Sequence, residues 1–293
     1  NTSNIESQVQ AAAALAALAG GERNKSRQNA IAKAGGPRPL LGLVGAGVGY
    51  ARAQSMGLHA LAQIAMNNRA NQDAIATLEG LPALVALISA GSSPPDVQMY
   101  AARAVAEVCK HNHSNQTVIA DLGTISMLVS LVRSTNVSAV EAEVAGALYA
   151  LAEGHRENQG AIVSAGAINV LVGLLGSRSD HAANLAGNCL AALGLDNTDS
   201  QREIAKLLVG LLGTAKRESS QERAAAALWR LVRENPSDQL QIARAGGAQP
   251  LVRLLREGPP GGKAYALWSL SLCIDESNRG LVVDCGAIEP LVE

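Results

Sequence analysis

Residues 158–175 read NQGAIVSAGAINVLVGLL, and this stretch decides the fold. It contains a short segment with helical spacing, a turn of small residues at Ala165, Gly166 and Ala167, and an apolar run. Weaker copies of the same pattern recur along the whole chain. Because a period of about 20–50 residues is typical of solenoids and related arrays, the period has to be established before any single helix is assigned.

The register of the repeat follows from an apolar residue that stands nine positions before a leucine, as Ile162 does before Leu171. Leu208 lies in a matching LVGLL run but lacks this apolar partner. Most copies also carry Asn or Gln near their start, as at Asn158 and Gln159. The successive anchor leucines are Leu40, Leu84, Leu128, Leu171, Leu208, Leu251 and Leu291, so the intervals are 44, 44, 43, 37, 43 and 40 residues.

A longer third segment completes each copy. In residues 141–153, Val144, Ala147, Leu148 and Leu151 stand at i, i+3, i+4 and i+7, which is the spacing of one face of an α-helix. Strand signals are weak, since the chain has few aromatic residues and little strict alternation. Each copy is therefore predicted to hold a short helix, a glycine turn, a second helix, a loop and a longer third helix, and the fold is predicted to be all-α.

Two motifs carry a resemblance to a known family. The first is NQxxI…GAIxxLVxLL, which is clearest at 158–175, and the second is AL[WY]xL in the third segment, at 147–151, 227–231 and 266–270. Over nearly its whole length the chain resembles the armadillo repeat family. The resemblance implies a right-handed superhelical armadillo-repeat solenoid, an α-α superhelix of three-helix units, whose third helices line a concave groove that holds partner proteins.

The repeat register predicts one continuous array, since a repeat protein is a single extended body rather than a set of globular domains. Partial repeats are predicted at 1–26 and 278–293. Because the chain begins at Asn1 without Met and stops inside a repeat, we expect it to be a fragment of a longer protein. The complete copies are predicted at 27–70, 71–114, 115–157, 158–199, 200–237 and 238–277, of which 200–237 is shortened.

Composition argues against nucleic-acid and membrane functions. The formal net charge is −1, so no general field favours nucleic acid. Hydrophobic residues make up 48% of the chain, but no apolar run reaches the ~20 residues that a transmembrane helix needs, so direct membrane insertion is not expected. Cys109, Cys189, Cys273 and Cys285 lie in apolar segments with helical spacing. They are predicted to be reduced core thiols of a cytoplasmic protein, with a nuclear location as the alternative.

Two local motifs permit other interpretations. Residues 41–50 read LGLVGAGVGY, but the spacing matches neither GxGxxG nor GxxxxGK[ST] and no strand precedes it, so a connecting loop is favoured over a phosphate site. His111, Asn112 and His113 suggest metal ligation, but neither cysteine nor carboxylate completes a ligand set, so a polar turn between repeats is favoured. No Ser-His-Asp or Cys-His set has a recognisable local context. We therefore expect no enzyme activity, no cofactor and no metal.

The copy that starts near residue 200 is shortened where the others carry the glycine turn. Only four positions separate Ile204 from Leu208, against nine elsewhere, so five residues are missing. Residues 199–212 are predicted to form one helix, with a local change in superhelical curvature. In the next copy, residues 258–262 (GPPGG) are predicted to replace the opening turn of the third helix.

The register also predicts which side chains face the groove. With Leu228 in the core, Trp229 lies about 100° around the helix and faces the groove that the resemblance implies. Nuclear-import adaptors of the family carry Trp at this position and Asn one turn later. Here only Trp229 and Trp268 match the first row and no Asn stands in the second, which disfavours an import-type function. The predicted groove residues are Lys110, Tyr149, Glu153, Asn184, Asn188, Trp229, Arg233, Tyr265 and Trp268.

The C-terminal half of this groove combines aromatic and arginine side chains, the types most enriched at binding hot spots. Arg223, Arg230 and Arg233 are predicted to stand beside the aromatic residues, and Asn184 and Asn188 to hydrogen-bond a peptide backbone. Arginine pairs with carboxylates and tryptophan covers apolar surface, so the predicted partner is a protein or peptide with an acidic or amphipathic segment. The leading function is a protein-interaction scaffold. The alternatives are a structural subunit of a cytoskeletal, axonemal or other large assembly, and a transport adaptor of the nuclear-import type.

Overall fold

The computed structural model describes every residue of the chain except 1, 22–23, 48, 90–92, 196, 235–245, 275, 277–278 and 293. Regular structure in the described residues consists of nineteen α-helices and contains no strand, which confirms the all-α prediction. The chain forms two compact units, Asn1–Ala165 and Gly166–Glu293.

The helices of the first unit are α1 (Thr2–Ala19), α2 (Lys25–Lys33), α3 (Pro37–Val44), α4 (Ala51–Ala65), α5 (Arg69–Thr77), α6 (Gly80–Ala86), α7 (Pro95–Cys109), α8 (His113–Asp121), α9 (Thr124–Ser134), α10 (Ser138–Ala152) and α11 (Arg156–Ser164). Two shorter helices lead to each of the long helices α4, α7 and α10. Consecutive long helices pack directly against each other, α1 on α4, α4 on α7 and α7 on α10. The predicted repeat starts at 71, 115 and 158 fall in the first turns of α5, α8 and α11.

The helices of the second unit are α12 (Ala167–Leu174), α13 (Asp180–Gly194), α14 (Thr198–Thr214), α15 (Glu218–Glu234), α16 (Ala248–Glu257), α17 (Pro260–Cys273), α18 (Arg279–Asp284) and α19 (Ile288–Val292). Its long third helices also pack in sequence, α13 on α15 and α15 on α17. The predicted first helix of the 238–277 copy falls largely on 235–245 and so lies outside the described residues.

The glycine turn of the sequence pattern separates the first helix of a repeat from the second. Gly166 has a φ of 73° between α11 and α12, and Gly123 has a φ of 76° between α8 and α9. Glycine reaches this left-handed region without the steric cost that a Cβ atom brings, which explains why the pattern carries it. The predicted helix, turn and helix over residues 158–175 are therefore confirmed.

The predicted apolar face of the third helices forms the core. In α10, Val144, Ala147 and Leu151 are fully buried, and Leu148 is 1% exposed. Burying one leucine side chain stabilises the fold by roughly 1.5–3 kcal/mol, so this face is a main source of stability. Alanines on neighbouring third helices, such as the fully buried Ala104 in α7, leave room for the helices to approach closely.

Buried glutamines tie the first helix of each repeat in the first unit to the third helix of the same repeat. Gln28, Gln72 and Gln116 hold the same position in α2, α5 and α8, and each Nε2 donates to two backbone carbonyls at the end of the following long helix. For Gln72 these are the carbonyls of Glu107 and Lys110, at 2.8 and 3.2 Å. The last carbonyls of a helix have no partner within it, so the glutamines satisfy groups that would otherwise stay unpaired.

At two boundaries between repeats, an asparagine that caps the next helix also hydrogen-bonds the buried glutamine of the preceding repeat. At the third boundary the capping residue is a histidine and the glutamine oxygen is left without this bond. Asn112 caps α8 by accepting the N–H of Asn115 at 3.1 Å, and its Nδ2 donates to Gln72 Oε1 at 3.1 Å. The joint before it is built in the same way. At the third joint the cap is His155, and Gln116 Oε1 is a buried acceptor that has no hydrogen-bond partner among the described residues.

The shortened copy contains the merged helix that its sequence predicts. α14 runs without a break from Thr198 to Thr214, and both Ile204 and Leu208 are fully buried on it. The reason is local: with the glycine turn missing, nothing in the segment forces the chain out of helical geometry. The accompanying change in superhelical curvature stays a prediction.

The structure corrects two local predictions. The glycine-rich segment 41–50 is only partly a loop, because its first four residues belong to α3, which continues to Val44. The GPPGG cluster begins the third helix instead of replacing its opening turn. Pro260 stands at the first position of α17, where the N–H that proline lacks would have no partner in any case.

The cysteines divide into two buried thiols and one that departs from the prediction. Cys109 and Cys189 are buried, and burial in apolar surroundings raises the pKa of both thiols well above its usual range. Cys285 is not a core thiol, because it lies half-buried in the turn that follows α18. Cys273 ends α17, and its side chain lies outside the described part of the chain.

No single helix in the part of the chain that the structure describes has both the length and the apolarity to cross a membrane. One bent pair, α8 with α9, reaches that length and composition when its two helices are taken together across an angle of 72°.

Candidate protein-binding surface

Two neighbouring third helices of the second unit carry three of the four aromatic residues of the predicted groove, Trp229, Tyr265 and Trp268. On α15, Leu228 is fully buried, and the next residue, Trp229, lies at the boundary with α17. On α17, Ala266 is fully buried, while Tyr265 and Trp268 remain accessible. Tyr265 and Trp268 stand three residues apart, so they share one side of the helix.

The three rings form one contiguous group, which we call the aromatic cluster (Trp229, Tyr265 and Trp268). The ring centroids of Trp229 lie 5.4 Å from Trp268 and 5.8 Å from Tyr265, with tilted planes. Tyr265 and Trp268 meet edge to face, with centroids 5.5 Å apart and planes at 82°. Such pairs contribute roughly 0.5–1.5 kcal/mol each beyond the area that they bury. Trp268 nevertheless stays 46% exposed.

Arg233 completes the surface one turn after Trp229. Its Cζ lies 4.5 Å from the Trp229 ring centroid, a cation–π contact worth about 0.5–1 kcal/mol at an exposed site. A cage for a methylated ammonium ion needs rings that stand apart around a central cation. Here the rings contact one another, and the chain itself supplies the cation on Trp229. The aromatic cluster is therefore a surface to be covered rather than a pocket to be filled.

Arg223 on α15 binds groups at the end of α12 and the start of α13. Its Nη1 donates to the carbonyls of Leu175 and Ser177, at 3.1 and 2.7 Å, and its Nη2 contacts the Asp180 carboxylate. Only 13% of the Arg223 side chain is exposed. Arginine carries several donors in a fixed fork, so one side chain satisfies the end of α12 and fastens α15 to it. The Arg223 guanidinium is therefore already engaged by its own chain, and its predicted role beside the aromatic residues stays a prediction.

Arg230 is also engaged within the unit. Its Nη1 donates to Asn188 Oδ1 on α13, at 2.7 Å. This oxygen therefore already accepts a charge-assisted hydrogen bond from the neighbouring repeat, which leaves the amide Nδ2 as the group that suits a peptide carbonyl. Asn184 lies one turn earlier on α13 and is exposed. Its contact with a peptide backbone stays a prediction.

The remaining three predicted residues lie in the first unit. Lys110 is exposed at the C-terminal cap of α7. Tyr149 Oη donates to Glu153 Oε1 at 2.9 Å, and His111 Nδ1 lies 3.2 Å from Glu153 Oε2. Glu153 therefore binds groups of its own chain through both oxygens. Its role in holding a partner stays a prediction, as do those of Lys110 and Tyr149.

Sequence reasoning missed Glu107, a charged residue on α7. Its Oε2 is buried and has no hydrogen-bond partner in the described ranges. Burial raises the pKa of Glu107, the nearby Lys110 and Arg103 lower it, and Glu143 on α10 raises it. The repeat register places the preceding residue, Ala106, in the row that holds Trp229 in a later copy. The sequence therefore predicts that Glu107 stands next to that row, but it does not predict that the Glu107 carboxylate oxygen is buried.

A cavity of about 480 Å³ elsewhere in the second unit shares no residue with the aromatic cluster. It is lined by Gly213 at the end of α14, by Arg253 and Arg256 of α16, and by Cys285, among others. Arg253 Nη2 donates to carbonyls at the end of α14, and Arg256 Nη2 donates to the Gly286 carbonyl at 2.8 Å. Both guanidinium groups therefore hold backbone of their own chain. In the described residues, no group of three or more His, Cys, Asp or Glu is placed to hold a metal ion.

Known proteins share this architecture. A family model described as the spinocerebellar ataxia type 10 protein domain matches residues 54–148. An engineered protein of known crystal structure is 31% identical, with a TM-score of 0.75 over 96% of this chain and 68% of the engineered one. A designed armadillo repeat protein is 21% identical, with a TM-score of 0.63 over 81% of this chain and 99% of that one. This chain has an armadillo-like repeat fold.

A further armadillo-like structure comes with a ligand. A designed armadillo repeat protein in complex with the peptide (KR)4 is 21% identical, with a TM-score of 0.64 over 81% of this chain and 99% of that one. At this level of identity the likeness shows the fold alone. Comparison with the curated proteins finds no match.

Proposed function

We propose that this armadillo-like chain is a protein-interaction scaffold that holds a partner segment against the aromatic cluster and Arg233. The observation that carries the proposal is the 46% exposure of Trp268, although its ring already packs on two others. Tryptophan and arginine are the residues most enriched among binding hot spots, where a partner excludes water from them. Leu195 and Leu267, each 43% exposed, add apolar surface in the same unit.

The hydrogen-bonding groups of this surface favour one partner chemistry. An indole N–H and a guanidinium group can only donate hydrogen bonds, and Arg233 also carries a positive charge. Carboxylates accept such bonds and complement the charge, while an apolar side chain covers the exposed face of Trp268. We therefore assign the partner as an acidic or amphipathic protein segment. The (KR)4 ligand of the designed armadillo protein is positively charged, whereas the partner proposed for this chain carries carboxylates.

The test uses the tryptophans themselves. Trp229 and Trp268 are the two tryptophans of the chain, so fluorescence excited selectively at tryptophan reports the aromatic cluster alone. We expect a saturable blue shift on titration with a short peptide of alternating Glu and Leu, and none with (KR)4 of equal length. Trp268→Ala should weaken peptide binding by about tenfold or more, as truncation of a hot-spot aromatic does.

Two matched variants separate this site from general surface effects. Arg233→Ala should lower the affinity for the peptide and make that affinity less dependent on salt. Arg202→Ala, at an exposed arginine of α14, should change neither the affinity nor its salt dependence. Tyr50→Ala removes an aromatic residue that is 41% exposed in the first unit and should also leave binding unchanged. If Trp268→Ala binds the acidic peptide as well as the unmodified chain while its helical circular dichroism is retained, the aromatic cluster is not the binding surface.

A further inference from the structure

Arg230 and Asn188 form a polar pair between two neighbouring third helices of the second unit. Arg230 Nη1 on α15 donates to Asn188 Oδ1 on α13 at 2.7 Å, and both side chains are half-buried. The pair borders the aromatic cluster, because Trp229 directly precedes Arg230 on α15. Tyr265 and Trp268 contact Trp229 from α17, whereas the polar pair reaches towards α13.

The guanidinium group fixes the orientation of the Asn188 carboxamide. Arginine has N–H donors and no acceptor, so the carboxamide atom that faces Arg230 has to be the oxygen. The amide nitrogen Nδ2 therefore lies on the other side of the carboxamide, and its N–H groups are directed away from Nη1. This orientation does not depend on a protonation state, since arginine stays charged and asparagine does not titrate.

A glycine of α13 gives the guanidinium group its place. Gly187 is buried within that helix, and a Cβ atom added there would lie 3.4 Å from Arg230 Nη1, which is a tight contact. Because the helix surface carries no side chain at this point, the Arg230 guanidinium group lies directly on α13 and reaches Asn188.

The Arg230 charge is not paired with a carboxylate anywhere in the part of the chain that the structure describes. Arg223, two turns earlier on the same helix, is paired with Asp180. Arg230 instead spends one N–H on the neutral oxygen of Asn188. The groups that the pair presents are therefore the remaining N–H donors of a charged guanidinium group and the N–H groups of the Asn188 amide.

We propose that Arg230 and Asn188 together form a carboxylate subsite, which binds an acidic side chain of the partner while an apolar side chain covers the aromatic cluster. The inference rests on the proposed function, because it assigns a second contact to the same partner segment. A carboxylate accepts several hydrogen bonds through two oxygens, so it can satisfy both groups and also compensate the charge of Arg230. A neutral carbonyl matches the donors but leaves that charge uncompensated.

The position of the subsite sets the partner's pattern. Packed helices lie about 8–10 Å apart, so the carboxylate must stand within a few residues of the apolar side chain. A peptide of alternating Glu and Leu provides this spacing in either direction of binding, and its analogue with Gln in place of Glu keeps the shape without the charge. Both are titrated into the 293-residue chain at physiological salt, with tryptophan fluorescence as the readout. We expect the Glu peptide to bind about tenfold or more tightly, because hydrogen bonds to charged groups are the stronger ones.

Three variants assign that preference to the pair. Asn188→Asp places a carboxylate of the chain itself on Arg230, and Arg230→Gln removes the charge. Arg233 is kept in both, so the preference for the Glu peptide should fall to about threefold or less rather than vanish, while the affinity for the Gln peptide stays nearly unchanged. Asn184→Asp is the matched control: it adds the same charge at an exposed position one turn earlier on α13 and should keep the preference.

The outcomes separate the subsite from the proposed function. If the unmodified chain binds the Glu and Gln peptides equally well, the carboxylate subsite is refuted while the aromatic cluster remains a binding surface. If neither peptide binds, both proposals fail together. The subsite is also refuted if Asn188→Asp keeps the preference, or if Asn184→Asp loses it to the same extent. Should Asn188→Asp lose its helical circular dichroism, Arg230→Gln decides.

Discussion

His155→Asn is expected to stabilise the first unit, because an asparagine can cap α11 as His155 does and can also pair a buried oxygen of the neighbouring helix. At the preceding joint, Asn112 Nδ2 donates to Gln72 Oε1 at 3.1 Å. Gln116 holds the position of Gln72 one repeat later, and its Oε1 is buried without a partner among the described residues. An asparagine at 155 can repeat the Asn112 arrangement, with Thr117 Oγ1 as a second acceptor.

The size of the gain follows from what each side chain contributes. A buried polar atom without a hydrogen bond costs about 1–3 kcal/mol. Against this, the variant loses the contact between the His113 and His155 rings, at 5.8 Å, which is worth roughly 0.5 kcal/mol or more. The N-cap itself is kept, since asparagine is among the best N-cap residues. The net gain is about 1 kcal/mol, which raises the melting temperature by about 2–4 °C for a unit of this size.

Urea unfolding followed by circular dichroism measures the change, with Asn112→His as the reciprocal variant. That substitution should strip Gln72 Oε1 of its partner and lower the stability by a similar amount. Because repeat arrays do not always unfold in two states, exchange of the α8 and α11 amides should locate both effects. The explanation is wrong if His155→Asn is no more stable than the unmodified chain and Asn112→His is no less stable. In that case a buried glutamine oxygen without a hydrogen bond, such as Gln116 Oε1, does not lower the stability.

Other substitutions and labels test the core and its titratable groups. Burial raises the folded-state pKa of Glu107. Between the unfolded and the folded pKa the folded chain keeps a proton that the unfolded chain has lost, so stability falls as pH rises through that range. Glu107→Gln should therefore raise the urea midpoint at pH 7.5 but not at pH 4. Leu148→Ala should cost about 2–5 kcal/mol in the same assay, because it opens a cavity in the core of α10; a loss under 1 kcal/mol would contradict the packing. In the native chain Cys285 should react with a thiol reagent while Cys109 and Cys189 stay unreacted until unfolding, and equal rates would disprove their burial.

The sequence predicted the core well because helix packing is periodic. Val144, Ala147 and Leu151 are fully buried, as their spacing predicts, because the apolar face of an amphipathic helix packs against the core. Contacts between polar side chains have no such period. Arg230 reaches Asn188 across 42 residues of sequence, and nothing in either helix alone indicates that the two would meet. Predictions for these polar residues therefore needed coordinates.

One repeat position serves packing in some copies and carries the aromatic cluster in others. Ala62 and Ala191 hold the repeat position of Trp229. Ala62 is fully buried and Ala191 is 7% exposed, because a methyl group is small enough for the neighbouring long helices to cover it. An indole is too large for the neighbouring helices to cover in this way. The Trp229 ring packs instead against Tyr265 and Trp268, which lie on the next long helix. A tryptophan in one copy alone would lack these partners. The surface therefore depends on aromatic residues in two consecutive repeats, and although the register placed each of them, it did not predict that their rings contact one another.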